Sequence, residues 1–271
     1  MLEAGDRLVL ADGVVLRDGT LVDAVAHASW PVNATGALVL ARSGCALGDV
    51  ADDVAAAFVV PVARARADVL SFAWHLNRLA LANVDRKAGR VRHALAWLGL
   101  AVRLAPAGAL PAITVRRFRL DTRTIPRAIA GVARAGAGRG AAIAVGVAAL
   151  VAHVGLLAGR PSVLVPAAVG LAAGAGLIVH EAAHAAALRG IPSALVIRGR
   201  RVSVLHAPAG PGRRALVAAA GPGVTAIVGT GLLAVSVSYA TPMLALVGGP
   251  AVVHALALTV LASDGRTACE L

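Results

Sequence analysis

Aromatic rings are almost missing from this chain: of its 271 residues three are Trp, three Phe and one Tyr. Single-stranded nucleic acid is gripped largely by stacking bases on ring faces, so the net charge of +12 does not point to RNA or DNA. Charge itself is scarce, at 15% of residues against 58% hydrophobic, which excludes an ordinary soluble domain and predicts an integral membrane protein. Only Cys45 and Cys269 carry thiols, near opposite ends and without metal spacing; they exclude a disulfide framework and read as free cysteines. A basic segment followed by an apolar core is also lacking at the N-terminus, where Glu3, Asp6 and Asp12 stand. These residues predict no secretory signal and a cytoplasmic first domain.

The charge that is present is segregated. Residues 1–60 hold eight acids against Arg7, Arg17 and Arg42. Arg116, Arg117, Arg119, Arg123, Arg127, Arg134 and Arg139 precede the first long apolar stretch, and Arg189, Arg198, Arg200, Arg201, Arg213 and Arg214 fill a later loop without any acid. Such clusters beside spans read as cytoplasmic flanks facing anionic lipid.

Residues 1–85 have the pattern of a small α+β, winged-helix-like domain of three short strands plus three helices. Strand-type runs Arg7–Leu10, Val14–Arg17 and Leu21–Val25 are separated by Asp12-Gly13 and Asp18-Gly19. Asn33 is placed to cap a helix through Ala41, and Leu47, Val50, Ala51, Val54, Ala55 and Phe58 fall on one face of a second. Val69, Phe72, Ala73, Leu76, Leu79 and Ala80 form the stripe of a third, with Ser71, His75 and Arg78 facing elsewhere. Residues 86–140 read as a basic, partly interfacial linker, because the apolar stretch Ala94–Val115 is broken by Arg103, Pro106 and Pro111.

Residues 141–271 predict an α-helical polytopic membrane domain of about four transmembrane helices, near 141–159, 162–188, 215–239 and 242–262. Placing the Arg-rich segments inside puts both termini on the cytoplasmic side of the cytoplasmic membrane, with external turns near Arg160 and Thr241. Ser193–Arg198 and Val202–His206 flank Gly199-Arg200 as a short β-hairpin able to present an edge to an extended peptide; a solvated basic connector fits the same residues.

The sharpest chemical signal is His180-Glu181-Ala182-Ala183-His184, inside the second of these stretches. Helical geometry puts the two histidines about 6 Å apart along the axis and about 40° apart around it, so both imidazoles turn toward one point. Two neutral imidazoles suit Zn2+ with a water in an open position, and Glu181 flanks the spot as the base that takes the water's proton. The bland alternative is a chance match in an alanine-rich helix. A third ligand is needed, and Asp264, in Ser263-Asp264-Gly265 after the fourth stretch, is the candidate carboxylate; on its own it would pass for an interfacial aspartate paired with Arg266. Gly221-Pro222-Gly223, two turns into the third stretch, frees a backbone carbonyl and permits close approach, which predicts a kink opening a path for substrate. His153 and His254 read as buried, hydrogen-bonded or interhelical histidines rather than ligands.

The His180-to-His184 motif, Gly221-Pro222 in the following stretch and Asp264-Gly265 at the end of the next together resemble the site-2 protease family of intramembrane zinc metallopeptidases, over residues 141–271. The resemblance implies zinc held by His180, His184 and Asp264, Glu181 as general base, and Gly221 and Pro222 beside the substrate. It departs from the family pattern before Asp264, where Ala262-Ser263 replace the usual Asn- and Pro-containing sequence. Residues 1–85 resemble the PqqD-like peptide-recognition domain of pathways that mature ribosomally made peptides, through the short strands, Asn33-Ala-Thr-Gly36, the Leu47-to-Phe58 helix and the Asp68-to-Ala82 helix. That implies a precursor leader bound as an added strand, walled by the strand near Ala28–Val32, with Trp30, and by the helix around Leu70 and Trp74. The combined expectation is a membrane-embedded zinc endopeptidase that captures a precursor peptide and cleaves it near the cytoplasmic membrane face. A site-2-type protease acting on a transmembrane signalling protein and a noncatalytic leader-binding membrane adaptor are the alternatives.

Overall fold

The computed structural model describes residues 2–85, 115–159, 164–198, 201–240 and 242–253. Strands and helices come first and apolar helices follow, as the composition predicts. The described residues divide into two compact units that do not follow chain order: one takes the N-terminal region together with 115–119 and 192–208, and the other takes those of 120–191 and 209–253.

The first unit opens with β1 (Arg7–Leu10), β2 (Val14–Arg17), β3 (Thr20–Asp23) and β4 (Ala28–Pro31). Gly13 and Gly19 sit at φ +84° and +70°, which is why Asp-Gly turns occur at both corners. Strands β2, β3 and β4 form an antiparallel meander, and β1 pairs instead with β5 (Ala82–Asp85). Helix α1 (Ala34–Ala41) is capped as expected, the Asn33 side-chain oxygen accepting from the Gly36 N–H at 2.8 Å. Helix α2 (Leu47–Phe58) buries Leu47, Val50, Ala51, Val54 and Ala55, and α3 (Val62–Arg78) buries Val69, Ala73 and Leu76 on the predicted stripe.

Three strands and a helix reaching Ala82 are therefore corrected. Residues 1–85 hold five strands, and α3 begins earlier and ends at Arg78. Ala80, Leu81 and Ala82 are good helix formers, but Ala80 takes the left-handed conformation (φ +59°) and turns the chain into β5. Leu79, expected on the buried stripe, is half exposed. The strand β4 has the sequence ASWP, which lacks the alternation that marks a half-buried strand; its hydrogen-bonding partner β3 holds it in place.

A third sheet completes this unit, in the order β6–β7–β8, from β6 (Val115–Leu120), β7 (Ser193–Arg198) and β8 (Arg201–His206). The hairpin expected between the second and third apolar stretches is thus present, with antiparallel register from Ser193 opposite His206 to Arg198 opposite Arg201. Its turn, Gly199-Arg200, lies outside the described residues. Two asparagines also bond the backbone of β6, in addition to its strand partner β7. Asn77, on the last turn of α3, donates to the Val115 carbonyl (2.7 Å) and accepts from its N–H (2.8 Å), and Asn83 of β5 does the same for Arg117 at 3.0 and 2.8 Å.

Arg117 corrects its reading as a lipid-facing flank. Its side chain is 1% exposed and grips the 2% exposed Asp23 with two hydrogen bonds of 2.6 and 2.7 Å. Burial pushes the Asp23 carboxyl up, but Arg117 and the backbone N–H groups of Ala26 and Val25 outweigh it and leave the group below the ordinary aspartate range.

The second unit contains α4 (Ile125–Leu157), α5 (Leu164–Ala187), α6 (Pro211–Ser238) and α7 (Pro242–Val253). Three helices, rather than four, are long and apolar enough among the described residues to cross a membrane: windows Gly140–Leu157, Leu164–Ala187 and Pro211–Ser238. The fourth expected span begins as α7, and the rest of it lies outside the described residues, as do His254, Asp264 and most of the Ala94–Val115 stretch. The arginines expected in a linker include Arg127 and Arg134 on the first turns of α4, a helix of about 50 Å by its length.

Glycine sets how closely these helices pack. A methyl group on Gly174 of α5 would collide with the Gly140 carbonyl of α4, and one on Gly170 with the Ala144 carbonyl. Between α6 and α7, a Cβ on Gly229 would stand 2.8 Å from the Gly248 carbonyl, and one on Gly248 would stand 2.7 Å from that of Gly229. Small residues spaced by four let helix backbones touch where lipid offers no hydrophobic gain from association. His153, expected to be buried between helices, is exposed on α4.

Candidate metal centre

The candidate centre lies wholly within the second unit, where α5 supplies the histidines and α6 the surface they face. The i, i+4 spacing brings the Nε2 atoms of His180 and His184 to 3.0 Å, with ring centroids 4.7 Å apart and planes at 82°. His180 and Glu181 are buried, at 9% and 7% exposure, and His184 is half-buried.

The tautomer of His184 follows from its other nitrogen. Nδ1 faces the Val217 carbonyl at 2.5 Å, and a carbonyl only accepts, so Nδ1 carries the proton and donates. The Nε2 lone pair is then left toward His180. A backbone carbonyl orienting the far nitrogen of an imidazole is the usual support behind a metal-bound histidine.

Four residues after Val217 on the same face of α6 comes Gly221. A Cβ built there would lie 2.7 Å from His180 Cε1 and 2.8 Å from His180 Nε2, and would also overlap His184 Nε2. Glycine is thus required by the two rings themselves. Pro222 is buried beside it, and α6 runs through this proline. One turn on, the buried Thr225 hydroxyl donates to the Gly221 and Pro222 carbonyls at 2.9 and 3.0 Å. Residues Pro211–Ser238 thus form one helix through Gly221-Pro222-Gly223, with a side-chain brace after the proline.

The donor set fits a divalent ion that prefers nitrogen ligands. Two neutral imidazoles converge, one with its tautomer fixed, over a cradle that a single methyl group would fill. No group of three or more His, Cys, Asp or Glu side chains suited to a metal is assembled among the described residues, and the expected third ligand, Asp264, lies outside them.

The residues expected to contact a peptide belong to the first unit. Trp30 is on β4, the outer strand of its meander, paired opposite Leu21 and 38% exposed. Leu70 and Trp74 are on α3, partly buried against the core, and the Arg78 guanidinium stacks 5.9 Å from the centre of the Trp74 ring. Val32, just after β4, and Phe72 of α3 both close on Gly36, where a Cβ would meet them at 2.6 and 3.2 Å.

No family model matches the chain, and neither a curated protein nor a solved structure does. Sequence reasoning missed the Val217 carbonyl, for which no side chain signals, and Thr225, whose spacing from Gly221 was the available clue.

Proposed function

We propose that this protein is a membrane-embedded zinc endopeptidase, similar in mechanism to site-2 proteases, that binds a ribosomally made precursor peptide through its N-terminal domain and cleaves it near the cytoplasmic membrane face. The observation that carries the reading is the pair of facing imidazoles at 3.0 Å, tautomer fixed by Val217 and space kept by Gly221, with the Glu181 carboxylate next in sequence.

His180 and His184 would hold the ion, with Asp264 as the proposed third ligand. Zinc, when bound, supplies Lewis acidity toward a carbonyl and lowers the pKa of water toward about 7. Glu181 accepts the proton of the attacking water and delivers it to the leaving amine. On the N-terminal domain, the outer position of β4 supports a leader peptide adding as a further strand beside Trp30, with Leu70 and Trp74 contributing from α3.

The test uses the full chain in lipid nanodiscs with candidate precursor peptides, products being read by mass spectrometry and zinc by elemental analysis. The wild type should cleave. Glu181→Gln should keep its zinc and lose about 10²- to 10⁴-fold in rate. Peptide binding without Glu181-dependent product would make the chain a leader-binding adaptor.

A further inference from the structure

We propose that the tip joining α2 to α3 is a membrane-docking loop whose apolar side chains enter a bilayer carrying anionic headgroups. Residues Ala56 to Ala63 (Ala-Ala-Phe-Val-Val-Pro-Val-Ala) form a run of eight without charge or hydrogen-bonding side chain. All are exposed except Val60, which is half-buried. Phe58 is 40% exposed, Val59 91% and Val62 47%. The other large apolar side chains exposed on this unit, Val9, Val15, Trp30 and Leu79, are each isolated along the sequence.

The conformation at the tip strengthens the case. Val59 closes α2 in the left-handed region (φ +53°), its N–H and that of Val60 both bonding the Ala55 carbonyl. Glycine or asparagine suits that position, and a β-branched residue is strained there. Burial cannot explain the valine. A side chain kept against its own backbone preference and pointed almost wholly outward is explained by what it touches outside the domain.

Charge and tethering select the occupant. Arg64 and Arg66 follow the run and are exposed, and no acid lies between Asp53 and Asp68. Arg64 approaches Asp68 only at 3.9 Å, and Arg66 has no carboxylate partner among the described residues. Apolar side chains beside arginines match the boundary between acyl chains and anionic headgroups. Among the described residues three helices are long and apolar enough to cross a membrane, which would hold a bilayer at high local concentration. This inference is independent of the peptidase reading and uses no residue of the candidate centre.

To test it, the full chain with Cys45→Ser and Cys269→Ser is placed in nanodiscs of phosphatidylcholine and phosphatidylglycerol, with an environment-sensitive fluorophore on Val62→Cys or, for comparison, on Arg17→Cys. The label at 62 should be blue-shifted and strongly quenched by nitroxide-bearing lipids, and the label at 17 neither. An unshifted label at 62 overturns the proposal. So does a shifted label that the lipids do not quench, since the cover would then be protein. Adding Val59→Gly separates docking from folding: it relieves the left-handed strain, so thermal stability is kept or raised while lipid quenching at 62 falls several-fold. Quenching that persists unchanged overturns the role of the tip. Arg64→Gln with Arg66→Gln should weaken quenching in anionic discs and leave it unaltered in purely zwitterionic ones; equal effects in both would remove the anionic preference.

Discussion

The two units of this protein hold themselves together by opposite means. In the first, leucine and valine side chains from α2, α3 and the strands fill a core, and β6 is secured by polar groups: two asparagine clamps and the Asp23–Arg117 pair. In the second, helices meet where side chains are absent, at Gly140 against Gly174 and Gly229 against Gly248. The difference follows from the solvent each unit is built for. Water rewards burying a large side chain, whereas lipid does not distinguish Leu in a helix contact from Leu facing acyl chains, so close backbone contact takes its place.

The strongest way to break this contrast is to remove one charge of the buried pair. Arg117→Ala should destabilise the first unit by about 3–5 kcal/mol, because Asp23 is left ionised and buried. Hydrogen exchange over Val115–Leu120 should quicken accordingly, and Asp23→Leu combined with Arg117→Met should recover most of the loss. The matching test in the apolar unit is Gly174→Ala, which drives a methyl into the Gly140 carbonyl. It should cost about 1–3 kcal/mol, read by unfolding in mixed micelles, with little change in the first unit.

Acid sharpens the contrast more gently. The folded carboxyl of Asp23 titrates below its unfolded value, so its contribution is fully present above about pH 4 and is lost as pH falls through the folded value. Unfolding followed between neutral pH and pH 3 should show the wild type losing its advantage over Asp23→Asn. The smallest effect on folding, and the largest on metal, belongs to Gly221→Ala. A helix tolerates alanine well, yet its methyl occupies the space between the imidazoles, so zinc content should fall while thermal stability stays within about 1 kcal/mol of wild type.

Legibility in the sequence tracked how local the cause was. The Asn33 cap, the Leu47-to-Ala55 part of the α2 stripe and the Asp-Gly turns are decided by neighbours within a few residues and occur where the pattern placed them, whereas Phe58, expected on that stripe, is exposed at the end of the helix. The convergence of His180 and His184 is also local, being a consequence of helix pitch. Arg117 was misread because it lies in a basic run, and its partner is 94 residues away. No periodicity reports a pairing of that range. Asn77 shows the same limit: on the helix it counts as an unremarkable polar residue, and its value comes from a strand that arrives much later in the chain. The glycine crossings were available as a spacing of four, but a chain with 30 glycines offers many such spacings, and only packing tells which are used.

One feature of the first unit reaches into the life of the chain on the ribosome. Its third sheet draws β6 from beyond residue 85 and β7 and β8 from beyond α5. Synthesis therefore delivers Asp23 and Asn77 long before Arg117 and Val115 emerge, and the hairpin only after two apolar helices have been made. Until then the N-terminal segment keeps an ionised aspartate and an amide facing water that its finished fold encloses. An excised fragment ending at Asp85 would stay in that immature condition, so its failure to capture a peptide would report missing strands rather than missing recognition.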